Sequence, residues 1–163
     1  MSPTADAVGV VVIDTTSYAV TPINLESFQG ARGATIAASP DGSRMYVCQS
    51  DDGISTGTGH VTVVNTATYV THAVSVPGNP ISAAVSRDGS VLFVVAAPIE
   101  DSGNANLVLV DTKTEQVITS LTTTGWGART PLISPDGVHI YVPQGDGAKV
   151  EVYTLAGTGK WSA

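Results

Sequence analysis

The chain has 163 residues, a formal charge of −7, 42 % hydrophobic residues and only 13 % charged ones. That apolar share excludes disorder. The seven Lys and Arg stand scattered, without a basic block, which excludes a phosphate-neutralising nucleic-acid surface and an anionic membrane surface. Val, Thr and Ile number 23, 20 and 9, against 4 Glu and 3 Lys. A β-branched excess with so few surface-helix formers predicts an all-β chain.

In chain order, Met1–Ala7 has no basic segment and no long apolar run, so it is not a signal peptide. An exported protein would carry its leader ahead of this sequence. No stretch nears the ~18 apolar residues of a membrane-spanning helix. Strands are predicted at 8–14 and 17–25. Ala34 to Ala38 is a small-residue strand, then Ser39-Pro40-Asp41-Gly42 reverses the chain into Met45-Tyr46-Val47. Asp-Gly between apolar runs is a hairpin signal, and Pro suits the second position of a type I turn. Val63-Val64-Asn65-Thr66 and Tyr69 to Val76 supply two more strands.

The set then repeats. Ile81 to Val85, Ser86-Arg87-Asp88-Gly89, Leu92-Phe93-Val94, Leu109-Val110-Asp111-Thr112 and Gln116 to Leu121 form the next copy. Leu132-Ile133, Ser134-Pro135-Asp136-Gly137, Ile140-Tyr141-Val142 and a decayed Val150-Glu151-Val152-Tyr153 form the last. Val12-Ile13-Asp14-Thr15 is an early copy of the third-strand motif. The turn aspartates recur after 47 and 48 residues. Four antiparallel strands at this period read as one blade of a β-propeller. Ala37, Ala38, Ala83 and Ala84 fit the crowded innermost strand. Repeats are expected at about 8–33, 34–79, 80–127 and 128–163, in one partial propeller domain over 1–163 of three to three and a half blades.

These residues resemble the YVTN-type β-propeller repeat of surface-layer-like proteins. The resemblance rests on Pro80 to Gly89, the Ser-Pro-Asp-Gly copies, Tyr46-Val47, Tyr141-Val142 and the Val-Ile-Asp-Thr strands. It spans roughly 9–155. It implies a seven-blade ring of roughly 330 residues, about twice this chain. The same repeat is similar to those of lactonase-type propellers and of cofactor-enzyme subunits. Two expectations follow. The first and favoured one is a piece of a longer propeller. The second is a half-propeller that closes its ring on a second copy.

The turn residues Asp41, Asp88 and Asp136, and Asp14, Asn65 and Asp111, recur with the repeat and are therefore structural. A catalytic carboxylate should break the pattern. Cys48, the single cysteine, reads as a core residue. His60, His72 and His139 form no metal-ligand pair. The acidic loops at 51–59, 98–104 and 144–147 join second to third strands and gather at one end, where they read as solvated loops rather than a Ca²⁺ site. The fourth-to-first connections, 26–33, 77–80 and 122–129, are expected at the other mouth. Two of them contain Gly-Ala-Arg. Arg32, Trp126 and Arg129 are thus the candidate rim for a protein or a small anionic or carbohydrate ligand. No nucleophile–base–orienter set, cofactor motif or metal cluster is legible. The expected function is a non-enzymatic binding or scaffold module of an extracytoplasmic protein, at the bacterial or archaeal cell envelope or secreted. The alternative is part of a lactonase-like or oxidoreductase-associated propeller enzyme whose catalytic residues lie mostly outside this chain.

Overall fold

In each of the three Ser-x-Asp-Gly segments, the serine carbonyl accepts the glycine N–H, at 2.9, 2.9 and 2.8 Å for Gly42, Gly89 and Gly137. All three glycines hold φ between +71° and +77°. The aspartate side chain locks the reversal. Asp41 Oδ1 accepts the Ser39 hydroxyl at 2.6 Å and the Ser43 N–H at 3.0 Å. Asp88 does the same with Ser86 and Ser90, at 2.6 and 3.1 Å. These bonds hold the Asp41 carboxyl at about 2, below its ordinary 3.8, with the Ser39 hydroxyl the largest cause.

The computed structural model describes residues 9–25, 31–51, 58–98, 103–125, 127–145, 149–155 and 161–162. They form a two-stranded sheet, β1 (Gly9–Ile13) and β2 (Val20–Asn24), and three four-stranded sheets. The second sheet holds β3 (Ala31–Ala38), β4 (Arg44–Asp51), β5 (Thr58–Asn65) and β6 (Thr71–Pro77). The third holds β7 (Asn79–Val85), β8 (Val91–Ala97), β9 (Asn106–Asp111) and β10 (Val117–Thr122). The fourth holds β11 (Leu132–Ile133), β12 (His139–Pro143), β13 (Val150–Leu155) and β14 (Trp161–Ser162). Every sheet is an antiparallel meander in chain order. No helix occurs among the described residues. This is the all-β, partial-propeller architecture that the repeat predicts.

Apolar side chains fill the gaps between successive sheets. Val10, Ile23 and Leu25 of the first meet Val47 and Val64 of the second. Tyr46, Cys48, Val61 and Val63 meet Leu92, Val94 and Val108 of the third. Phe93, Leu107 and Leu109 meet Ile140, Val142 and Tyr153 of the fourth. The third sheet is therefore covered on both faces. That is why β8 and β9 read as continuous apolar runs, whereas the outer strand β10 alternates. Burial pushes the Cys48 thiol up to about 12, in keeping with a core role.

The inner strands touch closely. Thr35 Oγ1 of β3 donates to the Ile81 carbonyl of β7 at 3.0 Å. Two boundaries differ from the sequence reading. β3 starts at Ala31, with a register shift before Ala34, so Arg32 lies in a strand and not in a loop. β6 and β7 are joined by Gly78 alone, at φ +83°, where a Cβ would stand 2.8 Å from the Ala97 carbonyl oxygen. Local propensity could not reveal either extension, because pairing with β4 and β8 supplies it.

Candidate functional site

Strand direction sorts the connections into two ends. The expectation that second-to-third loops and fourth-to-first connections lie at opposite mouths is overturned. Strands alternate in direction, so the chain leaves strands two and four at the same end. Contacts in the fourth sheet document this. The Gly145 N–H donates to the Gly127 carbonyl at 3.1 Å. Glu151, at the start of β13, reaches the connection that follows β10.

Among the described residues the other end carries only tight turns. Thr66 Oγ1 donates to the Gly42 carbonyl at 2.6 Å, and its N–H to the Ser43 carbonyl at 3.0 Å. Thr112 repeats both bonds with Gly89 and Ser90. Asp14, Asn65 and Asp111 each accept two amide N–H groups of their own turn. Polar side-chain contacts then link the sheets. Arg44 Nη1 donates to the Thr112 carbonyl at 2.8 Å and lies 3.5 Å from Glu115 Oε1. His72 Nε2 lies 2.9 Å from the same oxygen. A shallow polar cavity of about 340 Å³ opens there, lined by Asp41, Arg44, Tyr46, Asp88 and Lys113 among others.

At the loop-bearing end the central group is Glu151. Its Oε1 accepts the Thr124 N–H and hydroxyl, both at 2.6 Å, and the Gly125 N–H at 3.1 Å. Its Oε2 accepts the Tyr153 hydroxyl at 2.6 Å. Burial by itself raises the carboxyl, but the bonds from Thr124, Tyr153 and Gly125 outweigh it and hold Glu151 below the ordinary range. Burial, with Glu151 beside it, pushes the Tyr153 phenol up. Gln144 is buried next to Gly125, with its Oε1 unpartnered. Glu151 is thus a structural clasp, with both carboxylate oxygens engaged by the protein.

Of the candidate rim, Arg129 is exposed and anchored through its own N–H, which donates to the Pro143 carbonyl at 2.9 Å. It stands beside Gly145. Trp126 and the side chain of Arg32 lie outside the described residues. Counted from the turn aspartates, Arg129 matches Ala34 rather than Arg32. Most of the acidic loop residues also lie outside the described residues. Among the described residues no three His, Cys, Asp or Glu side chains gather to hold a metal ion. The sequence reading passed over Glu151, although the signal was present. The register of β12 with β13 puts it where the other sheets carry Thr62 and Val108, so it breaks the repeat.

No protein-family model matches the chain, and no curated protein does. Solved structures match it well. The hydrazine synthase of Kuenenia stuttgartiensis aligns with a TM-score of 0.62 and 26 % identity, over 83 % of this chain and 38 % of that one. The periplasmic gluconolactonase of Pseudomonas aeruginosa aligns at 0.67 and 18 %, over 91 % and 46 %. A functionally unknown protein of Desulfotomaculum acetoxidans aligns at 0.70 and 15 %, over 94 % and 46 %. The chain spans less than half the length of each of these structures. The likeness establishes its fold, a run of β-propeller blades.

Proposed function

We propose that this chain is part of a propeller that works as a non-enzymatic binding module, with the loop-bearing end as its binding face. The observation that carries this reading is the difference between the two ends. One end repeats the same bonded turns in successive sheets. The other joins the strands by connections that differ from sheet to sheet, from the single Gly78 to the longer segment after β10. Function on such scaffolds resides in the variable connections. Glu151 stiffens that face, and Arg129 offers an exposed guanidinium suited to a carboxylate or phosphate. Arg32 and Trp126 extend the proposed rim, and a sugar acid would match both cation and ring. A place outside the cytoplasm is part of the proposal, supported by the similar periplasmic gluconolactonase.

Titration calorimetry with D-gluconate and with neutral glucose tests it. Gluconate binding that falls at least tenfold in Arg129→Ala, with glucose weaker, is the expected result. Equal binding by the variant, or hydrolysis of glucono-δ-lactone by the chain, would overturn it.

A further inference from the structure

The gap between the second and third sheets is polar at positions where the repeat is otherwise apolar. Counted from the turn aspartates, Arg44 and Tyr46 of β4 stand where β8 carries Val91 and Phe93. Counted from Asn65 and Asp111, Lys113 and Glu115 stand where the second sheet carries Ala67 and Tyr69. Glu115 and Tyr69 share a φ of 59°, so the turn backbone is kept and only the side-chain chemistry differs. A residue that serves the repeat recurs with it. These four do not, and they gather in one place. Arg44 bonds the Thr112 carbonyl, reaches Glu115 and engages the Tyr46 side chain. Arg44, Tyr46 and Lys113 all line the cavity of about 340 Å³ at the turn-bearing end.

One substitution in the turn keeps that cavity open. In the next gap Arg87 reaches across from the third sheet, and its Nη1 donates to the Pro135 carbonyl at 2.8 Å. Pro40 holds the same place in the second sheet. Its ring stops against Gly89, where a Cβ would stand 3.6 Å from Pro40 Cδ. The space beside the two aspartate turns is left unfilled. Its volume falls at the small end of ligand pockets, which run from about 300 to 1,000 Å³.

The walls carry both signs of charge. Asp41 and Asp88 are exposed, and the Oδ2 of each accepts the hydroxyl of Ser43 or Ser90. Arg44 and Lys113 supply the cations. The Thr112 and Glu115 contacts both use Arg44 Nη1, and a guanidinium has further N–H donors. A simple anion would meet the two carboxylates, and a simple cation the two cations. A neutral molecule would strip water from four charged groups without returning a charge. A molecule with one carboxylate and one ammonium answers both signs.

We propose that this cavity is a second ligand site, independent of the loop-bearing end, and that it takes a small zwitterion with one carboxylate and one ammonium group. The carboxylate sits on Lys113 and Arg44, with the Tyr46 hydroxyl as a further donor. The ammonium sits between the carboxylates of Asp41 and Asp88.

The test titrates the isotope-labelled full chain with glycine and with γ-aminobutyrate, a short and a long zwitterion, and follows the backbone amide shifts. Saturable shifts at Ser43, Gly89 and Lys113, with Gly145 unmoved, are the expected result for at least one of them. Acetate, methylammonium and neutral glucose should each bind about tenfold more weakly, the worth of one hydrogen bond to a charged group. Lys113→Ala, which places the second sheet's residue on an exposed turn, should cost a similar factor and leave the thermal midpoint in place. Pro40→Arg, which places the third sheet's residue at the gap, should fill the cavity and abolish binding. No saturable shift at the cavity with either zwitterion overturns the proposal. So does unchanged affinity in Lys113→Ala, or a singly charged or neutral probe that binds as tightly. Shifts at Gly145 instead of the cavity overturn it too, without touching the reading of the loop-bearing face, which the gluconate titration tests on its own.

Discussion

Replacing Glu151 by Ala tests whether the loop-bearing end is held by one carboxylate. The substitution removes four hydrogen bonds. Thr124 is exposed, and water restores its two. Gly125 is buried, and Tyr153 is 0 % exposed, so the Gly125 N–H and the Tyr153 hydroxyl lose their acceptor away from solvent. Each stranded donor costs about 1–3 kcal/mol. The total is about 2–6 kcal/mol, and 3 kcal/mol lowers the midpoint of a domain this size by about 6–12 °C. Glu151→Gln keeps an acceptor for Thr124 and Gly125, and its amide can donate to the Tyr153 oxygen, so it should cost only about 1 kcal/mol. Thermal unfolding by circular dichroism gives the order, and amide exchange at Gly125 should accelerate selectively. A Glu151→Ala variant within ~0.5 kcal/mol of the parent, or a Gln variant equally damaged, refutes the clasp. The pH dependence has a definite sign. The folded carboxyl lies below its ordinary 4.5. Its contribution is present above that pH and is lost as the pH falls through the folded value. The gap between parent and Gln variant should therefore close in acid.

Further outcomes follow from the same geometry. Leu107→Ala, at 0 % exposure between the third and fourth sheets, should cost about 2–5 kcal/mol in urea unfolding. Tyr18 sits at φ 57° and is 77 % exposed; Tyr18→Gly should stabilise by about 0.5–1 kcal/mol. Gly137→Ala, at φ +74° with open space around it, should destabilise by about 1–2 kcal/mol through backbone strain alone. The Asp41 carboxyl is ordinary at 3.8 when unfolded and about 2 when folded. Its stabilising effect is full above pH ~4 and lost toward pH ~2, so an Asp41→Asn variant should differ from the parent at neutral pH and converge with it in acid unfolding. Buried Cys48, with its thiol pushed up to about 12, should react with a disulfide reagent only at the rate of unfolding.

Much of this fold was legible in the residues because the repeat encodes it locally. Asp-Gly with a preceding Ser dictates a turn, and Asp14, Asn65 and Asp111 dictate another, whatever the rest of the chain does. The site was less so. Glu151 announced itself only as a break in the repeat, since its partners Thr124 and Gly125 belong to the connection that follows β10. Arg44 drew no notice in the sequence, and His72 was weighed there only as a metal ligand. They meet Glu115 across a sequence gap of 71 and 43 residues, a distance over which no periodic pattern carries information.

The sequence by itself determined the strand order, the turns and the apolar faces, because each follows from side chains a few residues apart. Only the tertiary structure decided which connections share an end and which polar groups bind across sheets. Strand direction is settled by antiparallel pairing. Inter-sheet bonds depend on how neighbouring sheets seat against each other. Those relations place Glu151 against Thr124, and Arg44 and His72 against Glu115.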